Sequence, residues 1–472
     1  MLRRALSKSA FNKTPRRFAG GGGAHPQKLG DKTHLETAIV ASGEFFNSGN
    51  MMLGAFCKKH PKEPVALLSD KSRAIFHEFS KDLHAHDAFK NESATGKGIF
   101  TPPKKGFFYK IESDVVRYEP ENNKLVLQDK VFTYDNLILA SELQFDWGGV
   151  KNLEEALKDY WNSHVVSTAQ VPFTANVNRA NREFRYDNFI MAIPPVPHKN
   201  EGTSHIFYWF KQLKQDRLIA SQWYDSQFII TTPQEYLHRV PSVHTQLENL
   251  AKSLGIHVKY NMELVEVKYN KINHHHRVAE TVYKNTKTGQ VETLSYGMLA
   301  AYPNCSVPKN LSPFTDSQGL IDVDQYTLQH KKYPNVFSFG ECTNLPTINN
   351  AVAAIPQAHV VAANVYYQKK NMPLKGVYDG TSATPIFTDR GKMIMPGFKY
   401  NWNKVNTMLT SDTESPLAGI KQSLSFMLFK RYEKKFFEKK MQGKIYGPPK
   451  WKSPSKTEDV RPQQTVAHPE KS

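Results

Sequence analysis

The sequence predicts an α/β protein of two Rossmann-like dinucleotide-binding domains followed by a basic amphipathic C-terminal helical region. Three observations carry this. Thr37 to Val40 and Val65 to Leu68 are short buried-strand patterns, separated by a helix-competent stretch through Phe56 to Lys59, which is βαβ spacing. A second series of strand-like runs, Phe189 to Ile193, Phe228 to Ile230 and Ile256 to Tyr260, alternates with polar stretches such as His244 to Ser253 that suit helices. Third, Tyr333-Pro334-Asn335 is a turn signal, Val336 to Phe339 a buried strand, Gly340-Glu341 a tight loop, and a helix is expected from near Ile348.

Bulk properties bound the reading. A chain of 472 residues with 39% hydrophobic content suffices for two or three packed units, and it contains no run of 18 apolar residues to span a bilayer. Lys+Arg outnumber Asp+Glu by 62 to 44, a charge of +18 placed mainly at the two ends. Residues 1–20 carry Arg3, Arg4, Lys8, Lys13, Arg16 and Arg17 and no acid, the composition of a mitochondrial transit peptide, with Gly20 to Gly23 as a flexible joint. Terminal charge without an RNA-binding module argues against a nucleic-acid partner.

Cys57, Cys305 and Cys342 have neither metal-like nor CxxC spacing, which implies a reducing compartment, no disulfide framework and no structural zinc. His274-His275-His276 lies in a polar hairpin, and consecutive histidines point in different directions, so no metal is expected there.

The first strand leads into Ala41-Ser42-Gly43-Glu44-Phe45-Phe46-Asn47-Ser48-Gly49, where a dinucleotide site needs bare backbone against pyrophosphate. Only Gly43 and Gly49 remain, wrongly spaced, and Glu44 repels phosphate. No G-x-G-x-x-G follows Phe189 to Ile193; Pro194-Pro195-Val196-Pro197-His198 turns the chain instead, so no NAD(P) site is expected.

The wording from Tyr296 onward is more specific than its pattern. Val323-Asp324, Leu328-Gln329-His330, Tyr333 to Phe337, Gly340-Glu341-Cys342-Thr343-Asn344-Leu345-Pro346-Thr347 and Tyr378-Asp379-Gly380 resemble the sulfide:quinone oxidoreductase family, flavoproteins of the two-dinucleotide-fold type, and its mitochondrial branch in particular. The resemblance is strong over residues 290–400. It implies an FAD site, for which Gly43, Gly340 and Glu341 are the surviving candidates, with Gly-Glu where the family has Gly-Asp. It also places a family glycine where Glu142 falls, beside the dinucleotide. The family's chemistry requires a pair of redox cysteines near the flavin, because a thiol ionises near neutral pH and forms reversible S–S bonds. Those positions fall near His198 and on Thr384, so no catalytic residue is assigned. Of the three cysteines present, Cys305, in a Pro-rich turn after the run Leu299 to Tyr302, is the one to test.

From Ile420 to Trp451 apolar residues Leu424, Met427, Leu428, Tyr432, Phe436 and Phe437 recur at three- and four-residue spacing among Lys430, Arg431, Lys434, Lys435, Lys439 and Lys440. Such a helix suits an anionic membrane interface, or packing on its own domain or on a neighbouring subunit. The expected organisation is a transit peptide and joint (1–23), an FAD-type domain (35–150 with 290–400), an NAD-type domain (151–289), a membrane- or partner-binding region (401–452) and a polar tail (453–472). The expected function is an inactive sulfide:quinone oxidoreductase homologue, kept as a structural or accessory subunit of a mitochondrial inner-membrane respiratory assembly, peripheral and on the matrix side. Two alternatives stand beside it: an FAD-dependent quinone oxidoreductase with a non-sulfide donor, and a peripheral membrane-binding protein.

Overall fold

A computed structural model describes residues 26–42, 47–69, 103, 105–169, 171–184, 187–199, 205–218, 227–270, 279–389, 391–403 and 419–429. The basic N-terminal segment, Gly43, Glu44, the three consecutive histidines and all of the C-terminal region beyond residue 429 lie outside them.

The first sheet is centred on two parallel strands, His34–Val40 and Val131–Leu139, in register from His34 opposite Thr133 to Val40 opposite Leu139. Pro64–Leu68 and then Phe107–Ile111 extend it in parallel on one side. On the other side the long strand Val131–Leu139 is shared. Its first half pairs antiparallel with Lys124–Val126, and its last three residues pair in parallel with Val336–Ser338. Helices Asn47–Lys59 and Ala351–Lys369 lie against each other. Aliphatic and aromatic side chains at the strand centres, such as Ile39, Leu67, Leu137, Ile138 and Phe337, are fully buried, which is why these runs read as continuous rather than alternating hydrophobic patterns.

The second sheet is parallel, in the order Ile256–Lys259, Phe228–Thr231, Phe189–Ala192, Met298–Ala301, Val165–Val166. Met298–Ala301 is a central strand of it, so this sheet reaches past residue 289, where the sequence reading ends the second unit. Phe189, Trp209, Phe210 and Phe228 form an aromatic cluster on one face, with ring centroids 4.9–6.3 Å apart. A separate antiparallel sheet, Met262–Tyr269, Ala279–Asn285 and Val291–Ser295, covers the other.

The helix expected from near Ile348 starts at Ala351, because Asn350 caps it: its side chain accepts from the Val352 and Ala353 N–H groups. Gly340 has φ +87°, which a residue with a Cβ rarely adopts, and this left-handed turn sends the chain from the strand into the loop. Helix 419–429 presents two faces. Phe426 and Phe429 pack on the buried Phe387 ring at 6.2 and 5.4 Å, and Gln422 and Ser425 are buried. Ile420, Leu424 and Met427 remain exposed at 69, 41 and 53%. The face that docks the helix is therefore the Phe426/Phe429 one; Leu424 and Met427, placed on the apolar face by their spacing, look outward.

Candidate functional site: a buried ion triad at the carboxyl edge of the first sheet

Ligands of open α/β sheets bind beyond the carboxyl ends of the strands, where connections leave in opposite directions. In the first sheet that point lies between the ends of His34–Val40, Val131–Leu139 and Val336–Ser338. The last two are paired with Ser338 opposite Leu139. Glu142 and Glu341 each come three residues later, so the register places the two carboxylates side by side at the edge.

Both are buried, with side-chain exposures of 6 and 10%. The Glu142 carboxylate accepts the Ser48 N–H at 2.9 Å, in the first turn of the helix described from Asn47. That of Glu341 accepts the Leu143 N–H at 3.3 Å. Lys199 enters from the second unit, beyond the strand Phe189–Ala192 and the segment Pro194 to Pro197, and its ammonium lies 3.1 Å from Glu341 and 3.6 Å from Glu142. Burial raises the Glu142 pKa and the Glu341 charge adds to the rise, while Lys199 and the Ser48 N–H act in the opposite direction.

The remaining polar groups at this edge are also matched internally. Glu142 N–H donates to the Ser42 carbonyl at 2.8 Å, the Ser42 and Ser141 hydroxyls are 2.6 Å apart, and Gly340 N–H donates to Gln357 at 2.9 Å. The second helix N-terminus is capped by Asn350, whose amide group also donates to the Ala383 carbonyl at 2.9 Å and to Thr384 at 3.3 Å. For FAD, the fit is poor in the described part of the site: the helix N-terminus presents a carboxylate where a diphosphate needs open N–H donors.

Next to the triad is a cavity of about 500 Å³, lined by Glu341, His198, Arg239, Asn344, Asn349 and Asn350 among others. Arg239 reaches the Thr347 carbonyl at 3.5 Å. Burial, with help from the Arg239 charge, pushes the His198 imidazole down to about 4 and that of His238 to about 3, so both are neutral at neutral pH.

The structure brings Gly340, Glu341 and His198 to one site and leaves Thr384 buried beside Asn350. Cys57 and Cys342 are fully buried, and burial pushes the Cys57 thiol up to about 12 and the Cys342 thiol well above its ordinary value. Cys305 is half-buried on the edge strand Asn304–Ser306, its thiol 3.9 Å from the Pro303 carbonyl. Among the described residues no group of three or more His, Cys, Asp or Glu could hold a metal ion, and no helix is long and apolar enough to cross a membrane. Arg239 escaped the sequence reading, and Lys199 entered it only as part of the turn Pro197-His198-Lys199 on which the first family cysteine position falls, not as a charge at the site. Lys199 meets Glu341 across 142 positions of sequence, and no local pattern announces such a contact.

The mixed first sheet, the parallel second sheet and the groove at the carboxyl edge define the class, an α/β protein with the fold of the FAD/NAD(P) oxidoreductases. Within that class the chain is a relative of mitochondrial sulfide:quinone oxidoreductase. It is 28% identical to the Dictyostelium discoideum protein over 435 residues, covering 90% of this chain and 87% of that one. It is 27% identical to the Mus musculus protein over 383 residues, covering 80% of each. No protein-family model matches. Among solved structures, the chain shares its fold with a chain of the Tetrahymena thermophila mitochondrial ATP synthase at TM-score 0.76 and 23% identity, covering 90% of this chain and all of that one. It also shares the fold of the sulfide:quinone oxidoreductase of Aquifex aeolicus, at TM-score 0.65 and 15% identity, covering 87% of this chain and 92% of that one.

Proposed function

We propose that the chain is a non-catalytic relative of sulfide:quinone oxidoreductase that serves as a structural subunit of a mitochondrial inner-membrane assembly. The observation that carries the reading is chemical. The positions that the resemblance assigns to the redox sulfurs fall near His198 and on the buried Thr384, neither of which can form a disulfide or persulfide. Cys57 and Cys342 are sealed in the core with thiols held protonated, and Cys305 alone cannot form the intramolecular relay. Fold and chemistry are carried by different residues, so packing persists after the site has gone.

Three further features support this reading. The Tetrahymena chain of the same fold is part of an ATP synthase. Ile420, Leu424 and Met427 offer an apolar stripe, followed in sequence by the lysine-rich stretch from Lys430 to Lys440 that suits a partner subunit or anionic lipid. The basic N-terminal segment has the composition of an import signal, and the protein we propose is peripheral to the inner membrane on its matrix side, holding neither FAD nor NAD(P). A second reading, an FAD-dependent quinone oxidoreductase with a non-sulfide donor, has the 500 Å³ cavity beside Glu341 in its favour.

Native electrophoresis of detergent-solubilised mitochondrial membranes carrying a tagged chain tests the proposal. The expected result is co-migration with one high-mass assembly at fixed stoichiometry, and a purified chain without flavin absorbance. Migration as a free monomer overturns the subunit reading. Stoichiometric flavin overturns the non-catalytic one.

A further inference from the structure

The helix N-terminus at the carboxyl edge of a Rossmann-type unit is an anion site, because its N–H groups point outward and its dipole favours negative charge. In this chain that place has an anion already. Glu142 extends from the neighbouring strand, puts its carboxylate on the Ser48 N–H at 2.9 Å, and is 6% exposed. Its counter-ion is also supplied internally: Lys199, 7% exposed, bridges Glu142 and Glu341.

We propose that Glu142 is a built-in substitute for the dinucleotide diphosphate, fixed in place by Lys199 from the second unit, and that this internal ion set closes the groove to diphosphate-bearing ligands. The inference rests on the cofactor-free reading above and states its physical cause. At the Ser48 N–H itself the nearest charge is the Glu142 carboxylate, in a setting where water screens little, so a diphosphate arriving there meets repulsion. To reach the Ser48 N–H it must also displace Glu142. That leaves a buried carboxylate without its donor and pulls Lys199 out of its bridge.

The same contact sets how the two units meet. Glu142 and Glu341 stand beyond the strand ends of the first sheet, and Lys199 follows the strand Phe189–Ala192 of the second, beyond three prolines in four positions that stiffen its approach. In this geometry the ion set bridges the two units across the mouth of the groove.

The experiment uses the full mature chain and two probes, FAD and inorganic pyrophosphate, in equilibrium dialysis with wild type and Glu142→Gly, the latter freeing the Ser48 N–H. The expected result is no saturable binding by wild type, and pyrophosphate binding by Glu142→Gly tightened by about tenfold or more, the scale of a charge-assisted hydrogen bond gained. Saturable FAD binding by wild type overturns both this inference and the cofactor-free reading. A folded Glu142→Gly that binds pyrophosphate no better than wild type overturns the inference alone. Where that variant does not fold, amide hydrogen exchange of wild-type residues 47–52 decides. Unchanged exchange on adding FAD supports the internal anion, and slowed exchange overturns it.

Discussion

Replacing Lys199 by Met keeps the length of the side chain and removes the one cation between Glu142 and Glu341. At contacts of 3.1 and 3.6 Å, each attraction amounts to about 5 kcal/mol at an effective dielectric constant of ~20, before the cost of desolvation and the repulsion between the carboxylates. What the variant loses is smaller than that gross sum. Removing one partner of a buried ion pair costs about 3–5 kcal/mol, because the charge left behind stays buried. We expect Lys199→Met to lower stability by that amount near neutral pH, read by equilibrium urea unfolding followed by tryptophan fluorescence. The pH dependence has a definite sign. Glu142 has a raised folded pKa, so the folded chain holds its proton more tightly than the unfolded chain does. Its penalty is absent below the ordinary carboxylate range and appears as pH rises through the folded value. Without Lys199 that folded value rises further. The gap between variant and wild type therefore narrows as pH falls from the variant's folded value toward that of wild type, and Glu142→Gln added to Lys199→Met recovers part of the loss. A variant within about 0.5 kcal/mol of wild type, the range of ordinary surface changes, or a gap that stays flat with pH, refutes the triad as a coupled unit.

Further outcomes follow from other parts of the molecule. Leu424→Glu combined with Met427→Glu should abolish association with the membrane assembly while leaving stability within about 0.5 kcal/mol, whereas Phe387→Ala should cost about 3–5 kcal/mol by unseating Phe426 and Phe429; fractionation and unfolding curves separate the two. Thiol titration of the native protein near neutral pH should show fast reaction at Cys305 only, with Cys57 and Cys342 appearing after denaturation; rapid labelling of Cys342 would contradict its burial. His198 and His238 are neutral in the fold, with values of about 4 and about 3, so the unfolded chain takes up protons first as pH falls below about 6.5. The stability they contribute is complete above that pH and is lost toward about 4 and about 3; His238→Gln should lose less stability than wild type across that range, and parallel curves would exclude the assignment.

The fold was legible because its strands are buried on both faces. Thr37 to Val40, Val65 to Leu68 and Phe228 to Ile230 had to be continuous apolar runs, and short runs bounded by turns leave few other assignments. Their ends shifted by one to three residues, where hydrogen bonding rather than hydrophobicity decides. The helix after Glu341 begins at Ala351 because Asn350 accepts two N–H groups, and the strand expected to continue through Phe339 is described to Ser338, two residues before the turn at Gly340. Which face of helix 419–429 looks outward was not legible for a related reason. Spacing identifies a stripe but does not say which stripe meets the core, and Phe387, which settles it, is more than 30 residues away in sequence.

The wording that made the relationship visible turns out to be scaffold rather than chemistry. The Asp324 side chain accepts from the N–H groups of Tyr326 and Thr327, and the ring of His330 spans the Phe314 carbonyl and the N–H groups of Lys332 and Tyr333. Asn344 donates to Asp316 and Asp322 and accepts from Val323 N–H. Gly380, at φ +82°, has Tyr400 so close that a Cβ would collide with its ring and backbone nitrogen. Asp324, His330 and Asn344 satisfy backbone groups in irregular loops, and Gly380 leaves room for Tyr400, demands that persist whatever the groove contains. Glu142 faces the opposite demand. At that position the requirement comes from the occupant of the groove, and a carboxylate becomes acceptable there once a lysine from the second unit can meet it. The resemblance sets a glycine where Glu142 falls; that Glu142 meets the Ser48 N–H, with Lys199 as its counter-ion, is readable only with the two units together.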